Sequence, residues 1–403
     1  MNYESGPINC IIKRFIIDSP VLRFHVMPSN SKNSFEQTIT PIDFDFLKKV
    51  VVKRFPFYDI QQTKQGIAFF CNINKTDFNT QFSSLREDLA EFNFIPIHRN
   101  EHGEDILYIV KRPNIKQKPF LVNVFLLIAT IITTLVTGSL LELGYGDLQS
   151  VPNFIEVFQP QNLFAGALFF SLPLMSILFI HEMGHYYFSK RHHLQTSFPF
   201  FIPIPPIIPG FNIGTFGALI SSSDPMPDKK TLFDVGISGP LAGFFVAVPI
   251  TIIGIFTSDV VPFSSLSSGE TILGTSLLFS ILSTVFLTIP KGFAVDLNAI
   301  AFAGWIGLLI TSINLLPAGQ LDGGHIFRSV LGNKQKYAGW IAVIIMVFTG
   351  WWFFAFIILL LTGVEHPPPL NDQSELDITR KILFFVAISI LILCFIPFPI
   401  SIT

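Results

Sequence analysis

His181-Glu182-Met183-Gly184-His185 lies near the end of a run that is otherwise apolar from Leu163 onward. An α-helix turns once in about 3.6 residues, so side chains four apart share a face. On a helix both imidazoles therefore point the same way and suit one metal ion. Glu182 lies beside them, placed to take a proton from water rather than to bind the metal. In a soluble protein such a short pattern also arises by chance on surface helices. Deep in a spanning helix it means more, because two histidines and a carboxylate are costly to hold in lipid and mark function there.

Composition supplies the membrane context. Half of the 403 residues are hydrophobic and 13% are charged, whereas soluble domains carry about a quarter charged residues. With a mean hydropathy of +0.55, the chain reads as a multi-pass integral membrane protein whose first partner is the lipid bilayer. A net charge of −2 gives no electrostatic case for nucleic acid. Cys10, Cys71 and Cys394 are far apart and no Cys-x-x-Cys occurs, so neither a disulfide framework nor a thiolate zinc site is indicated.

Residues 1–118 contain no apolar run long enough to span and no signal peptide, so they are expected to stay on the side where the chain is made. Residues 1–40 are irregular. Residues 41–112 read as a small α+β domain. Helical spacing over 42–54 is followed by strands at 57–62 and 67–73, joined by Lys64-Gln65-Gly66. A helix at 82–92 then precedes strands at 94–98 and 106–110. This order is that of two helix–strand–strand repeats. No ligand-spaced cluster occurs in it, so it reads as a cytoplasmic docking module for a regulator, and residues 119–403 as the membrane-embedded domain.

About six spans are expected in that second domain. The first, 119–141, follows Lys111, Arg112, Lys116 and Lys118, and the loop after it carries acids but no Lys or Arg. The positive-inside rule then puts the N-terminus in the cytoplasm. The metal motif belongs to the second span, 163–188, which ends at Lys190-Arg191. Residues 198–223 are too apolar for a water-facing loop and too rich in Pro for a helix. Within them 212–220 is expected to offer an extended edge, a template for pairing with an unwound peptide or else a plug in the bundle. The third span, 233–257, opens with Gly236, Ser238, Gly239, Ala242 and Gly243, small residues that let it pack against the metal helix. Residues 271–290 are read as re-entrant or interfacial. Spans at 297–331, 340–363 and 382–400 complete the set, with a polar turn at 365–372 on the outer side. Every Lys/Arg cluster then falls inside except Arg380-Lys381.

A hydrolytic zinc site needs three protein ligands and one open position. His181 and His185 supply two. Within the fourth span, Asn314-Leu315-Leu316-Pro317-Ala318-Gly319-Gln320-Leu321-Asp322-Gly323-Gly324-His325 breaks the helix at membrane depth, which is tolerated only where neighbours satisfy the freed backbone. Asp322 fits as the third ligand by type and depth, and the glycine pair behind it eases its approach. His325, one turn on, is the competitor. His25, His98, His102, His192 and His193 sit outside spans and are read as solvated, and His366 as structural.

The HEMGH helix, the SGPLAG start of the next helix and the NLLPAGQLDGGH segment, in that order, resemble the site-2 protease family of intramembrane metalloproteases over roughly residues 160–375. Smaller features (Asn162-Leu163-Phe164, Gly214-Thr215-Phe216-Gly217 and the HPPPLND turn) are similar to the subgroup of plant chloroplast members and their prokaryotic relatives. The resemblance implies one Zn²⁺ per chain held by His181, His185 and Asp322, with Glu182 as base and Asn314 polarising the scissile carbonyl or positioning substrate. It implies a transmembrane protein as substrate, and the cell membrane of a prokaryote as the expected location. Residues 1–118 add nothing to the resemblance. A membrane metal transporter and a catalytically inactive scaffold are the rival readings. A transporter would need ligands along several spans, and only the second and fourth offer them.

Overall fold

The computed structural model describes residues 41–62, 66–74, 76–112, 119–144, 154–206, 213–220, 222, 224–265 and 271–402. The expectations for residues 1–40, Lys64-Gln65, Lys116, Lys118, most of the loop after the first span and Asn212 lie outside them. The chain divides into two compact units. One comprises Met1–Lys116 with Pro225–Lys230 and Pro367–Leu376. The other comprises Gln117–Asp224, Thr231–His366 and Asp377–Thr403.

In the first unit the order is α1 (Pro41–Val52), β1 (Phe57–Gln62), β2 (Gly66–Cys71), α2 (Phe78–Ala90), β3 (Phe94–Glu101) and β4 (Glu104–Lys111). The four strands form one antiparallel sheet in the order β1-β2-β4-β3. The central pair, β2 with β4, runs in register from Gly66↔Val110 to Cys71↔Asp105. Both central strands are nearly continuously apolar and buried. Leu47 and Val51 of α1 and Phe78, Phe82, Leu85 and Leu89 of α2 close one core with Ile67, Phe69, Leu107 and Ile109.

Two segments from much later in the chain belong to this unit. The His98 amide donates to Leu370 O (2.8 Å), and the Arg99 guanidinium donates to Pro369 O (2.9 Å) and Leu370 O (3.1 Å). Leu370 N and Asn371 N in turn donate to Met226 O and Pro227 O, each at 2.8 Å. The polar turn thus lies against Met226 and Pro227, beside the Lys229-Lys230 pair.

A single fifth span is expected at 340–363, and residues 335–361 are built otherwise. They form two short helices, α9 (Gln335–Phe348) and α10 (Trp352–Leu361). The chain reverses at Gly350, whose φ of 80° suits glycine. Val364 O accepts from Gln335 Nε2 (3.0 Å) and from Gly319 N (3.0 Å), so the pair ends where it began. Hydropathy cannot separate a crossing from a returning hairpin, because both are apolar throughout.

Three helices of the second unit are long and apolar enough to cross a membrane: α3 (Phe120–Glu142), α4 (Pro160–Arg191) and α5 (Lys229–Phe256). α4 contains a π-turn at Ala167–Ser171. Gly138 of α3 and Gly166 of α4 meet backbone to backbone, leaving no room for a Cβ on either, the close approach that small residues allow in lipid. Strands β5 (Phe200–Pro203) and β6 (Thr215–Leu219) form a hairpin after α4. After α5, β7 (Asp259–Pro262) pairs with β9 (Phe293–Asp296), so the stretch between them returns to where it left. Inside it lie β8 (Thr271–Leu273) and the ten-residue α6 (Leu277–Phe286). The expected fourth span is two helices, α7 (Ala299–Asn314) and α8 (Asp322–Leu331), broken over 315–321. α11 (Ile378–Cys394) is the last helix, and β10 (Ile400–Ile402) pairs back onto β8.

His98 is fully buried, not solvated. Its Nε2–H donates to Asp105 Oδ1 at 3.1 Å, and among the described residues its Nδ1 meets no partner. Burial, opposed in part by Asp105, lowers its pKa from 6.5 to about 4. In that window an unfolded histidine binds a proton that the native one refuses, so stability falls as pH drops from 6.5 toward 4. At pH 5 the loss is about 2 kcal/mol. Pulse proteolysis in urea is expected to show the first unit less stable at pH 5 than at pH 7.5, and His98→Gln to flatten that difference.

Candidate metal centre

α4 is long because residues 160–191 carry no charge before Glu182, and their two prolines, Pro160 at the first position and Pro173 beyond the π-turn, do not end the helix. It delivers His181, Glu182 and His185 to the interior, where they are 4%, 6% and 8% exposed. The break at 315–321 delivers the fourth residue. Gly319 takes φ 53°, and α8 starts at Asp322. A Cβ on Gly323 would overlap Leu315 O, and one on Gly324 would overlap Gly319 O. Only glycine at both positions lets α8 press onto the backbone of the break and turn Asp322 inward.

His185 Nε2 lies 3.2 Å from His181 Nε2 and 3.2 Å from Asp322 Oδ2, and His181 Nε2 is 3.3 Å from that same oxygen. Ligand atoms about 2.0–2.2 Å from a tetrahedral ion stand about 3.3 Å from one another, so this triangle has the size that zinc requires. Among the described residues it is the one group of three His, Cys, Asp or Glu side chains that meets such a spacing. His185 Nδ1 donates to Val235 O at 2.7 Å. That bond leaves the lone pair on Nε2, the atom facing the triangle, as a histidine ligand needs.

Asn314, the last residue of α7, stands at the edge of the triangle with its Nδ2 3.3 Å from His181 Nε2. Glu182 is buried beside His181 and couples electrostatically to both histidines and to Asp322. His325 stays out of the group. Its Nδ1 donates to Leu321 O (3.1 Å), and its ring packs edge-on against His366, centroids 4.4 Å apart. Its Cβ faces Gly236 of α5.

The seat beneath the histidines comes from α5. A Cβ at Gly239 would overlap the His185 ring, and one at Gly243 would stand 3.1 Å from His181 Nδ1. Gly184 packs against Ser238 O, 2.6 Å from the position of an added Cβ. Two glycines four apart thus face two histidines four apart. The small-residue stripe signals the packing, but its register against the imidazoles is not visible in sequence. The Val235 carbonyl was likewise not foreseen, since any residue type carries one. His192, expected to be solvated, instead hydrogen-bonds Asp234 through Nε2 at 2.9 Å.

Comparison with known proteins agrees with this geometry. The model of Peptidase family M50 matches residues 169–356. "Probable zinc metalloprotease EGY1, chloroplastic" of Arabidopsis thaliana is 26% identical over 390 residues, covering 86% of this chain and 68% of the relative. The protein of the same name in Oryza sativa subsp. japonica is 28% identical over 268 residues, 62% of this chain and 42% of the relative. "Probable zinc metalloprotease EGY2, chloroplastic" of Arabidopsis is 30% identical over 195 residues, 46% of this chain and 34% of the relative. The chain therefore spans from about a third to two thirds of the length of these relatives. No solved structure matches. The first match covers more of the chain than residues 119–403 can supply, so the N-terminal unit is not without relatives. These relatives are chloroplast proteins of plants, which overturns the expected location in a prokaryotic cell membrane. Charge bias reads which way a chain is threaded and says nothing of whose membrane holds it.

Gly239→Ala places a methyl group where the His185 ring lies. The expected outcome is a loss of about 10- to 100-fold in zinc affinity, measured by chelator competition on the purified chain, with the helical content unchanged.

Proposed function

We propose that this chain, whose residues 169–356 match the model of Peptidase family M50 and whose relatives are named zinc metalloproteases, is a zinc metalloprotease of the site-2 protease kind that hydrolyses peptide bonds within transmembrane segments of other proteins. The observation that carries the reading is the triangle of His181 Nε2, His185 Nε2 and Asp322 Oδ2, with edges of 3.2–3.3 Å. In this reading those three side chains hold one zinc ion per chain, Glu182 is the base, and Asn314 is the donor to the substrate carbonyl. Residues 1–118 serve as a docking module for a regulator, and 119–403 form the catalytic membrane domain. With α9 and α10 forming a hairpin and β7 paired with β9, the membrane domain in this reading crosses five times rather than six.

When bound, zinc supplies Lewis acidity toward water and toward a carbonyl. The protein supplies the rest. Glu182 removes a proton from the attacking water and passes it to the leaving amine, a general base that becomes a general acid. The Asn314 amide N–H, at the edge of the triangle, is placed to donate to the carbonyl oxygen as charge develops on it. His181 and His185 are buried and the Asp322 side chain is 18% exposed, so little bulk water screens the centre and each of these interactions is strengthened. A transmembrane helix satisfies its own amides, so the substrate must unwind first. The β5–β6 hairpin is two-stranded among the described residues, and in this reading the outer edge of 213–220 pairs with the unwound strand. The transporter and scaffold readings lose ground because the relatives are named metalloproteases and because no second ligand cluster forms a path among the described residues.

Glu182→Gln is expected to abolish cleavage of a reconstituted transmembrane substrate while zinc content stays at one per chain; undiminished cleavage would refute the assignment. Stripping the metal with a chelator should stop cleavage in the parent protein, and added Zn²⁺ should restore it.

A further inference from the structure

One carboxylate ties together three helices of the membrane unit, and it stands immediately before the carbonyl that orients a ligand histidine. Asp234 Oδ1 accepts from Arg380 Nε (2.8 Å), and its Oδ2 accepts from Arg380 Nη2 (2.5 Å) and from His192 Nε2 (2.9 Å). His192 caps the C-terminus of α4, the helix that carries His181 and His185. Thr231, one turn before Asp234 on α5, lies 3.3 Å from His192 Nδ1 through its Oγ1. Arg380 stands in the first turn of α11 and is also bound by Asp377, the capping residue of that helix. The cluster is partly buried, with the Asp234 side chain 12% exposed and that of Arg380 21% exposed.

The next residue after Asp234 is Val235, whose carbonyl accepts from His185 Nδ1 at 2.7 Å. Two residues after Asp234, Gly236 packs against His325 Cβ of α8, 2.7 Å from where its own Cβ would stand. Any rotation or slide of α5 therefore moves the Val235 carbonyl relative to His185 and the glycine seat relative to both imidazoles. A bidentate guanidinium–carboxylate pair resists such motion better than a single-point contact, because two parallel hydrogen bonds fix an angle as well as a distance.

We propose that Asp234 is a positioning residue for the metal centre. By clamping His192 of α4 and Arg380 of α11, it sets the register of α5 against α4 and thereby holds His185 Nε2 in the ligand triangle. The inference rests on the reading of that triangle as a zinc site.

The test uses the full chain in detergent or nanodiscs and reads zinc affinity by chelator competition, together with the visible spectrum of the Co²⁺-substituted protein. Asp234→Ala is expected to weaken zinc about 10- to 100-fold and to alter the cobalt bands, with Asp234→Glu restoring part of both. Arg380→Lys, which keeps the charge and loses the fork, is expected to give a smaller loss in the same direction, and it carries the test should Asp234→Ala not fold. Wild-type zinc affinity and an unchanged cobalt spectrum in a folded Asp234→Ala or, failing that, Arg380→Lys protein overturn the inference while leaving the site reading intact. Should the unaltered chain bind neither metal, the site reading falls and this inference falls with it.

Discussion

Two imidazole nitrogens and a carboxylate oxygen, held 3.2–3.3 Å apart inside an apolar bundle, are the constraint from which the rest of the membrane unit follows. Such groups are costly away from water unless each has a partner. Two carriers bring them together. A continuous helix presents the histidines on one face, and a deliberate break in another supplies the carboxylate. Neither would suffice without a third helix thin enough to let them meet. The glycines of α5 have no Cβ where the imidazoles lie, so van der Waals contact replaces what would otherwise be overlap.

Breaking a helix at membrane depth frees backbone groups, and the structure shows where they go. Gly319 N donates to Val364 O, and Gln335 Nε2 donates to both Pro317 O and Val364 O. The returning hairpin α9–α10 therefore does more than fill space. It brings Val364 back to satisfy the segment that positions Asp322. A helix running straight across the bilayer would have carried Val364 away from that segment.

The N-terminal unit is built by the same logic of satisfying exposed backbone. β3 lies at an edge of its sheet, an open template. Residues 369–371 cover it in part, through the His98 amide and the Arg99 guanidinium. The two captured segments lead directly into α5 and α11, the helices joined by Asp234 and Arg380.

Some of this was legible in the residues themselves. Spacing alone decides that His181 and His185 share a helical face, because 3.6 residues per turn is a property of the backbone. Alternation and turn residues likewise carry the helix–strand–strand order of residues 41–111. A proline and glycines at 317–324 announce a broken helix whatever surrounds it. Other features had no local signal. Hydropathy is blind to direction, so residues 340–363 read as one crossing where the chain forms two short helices with a turn at Gly350. The choice between Asp322 and His325 rests on which face of α8 meets α4, a matter of packing. The pairing of Gly239 with His185, the Val235 carbonyl and the Asp234 clamp join residues some fifty to one hundred and fifty positions apart. Contacts of that range depend on how helices settle against one another, and only the folded chain decides them.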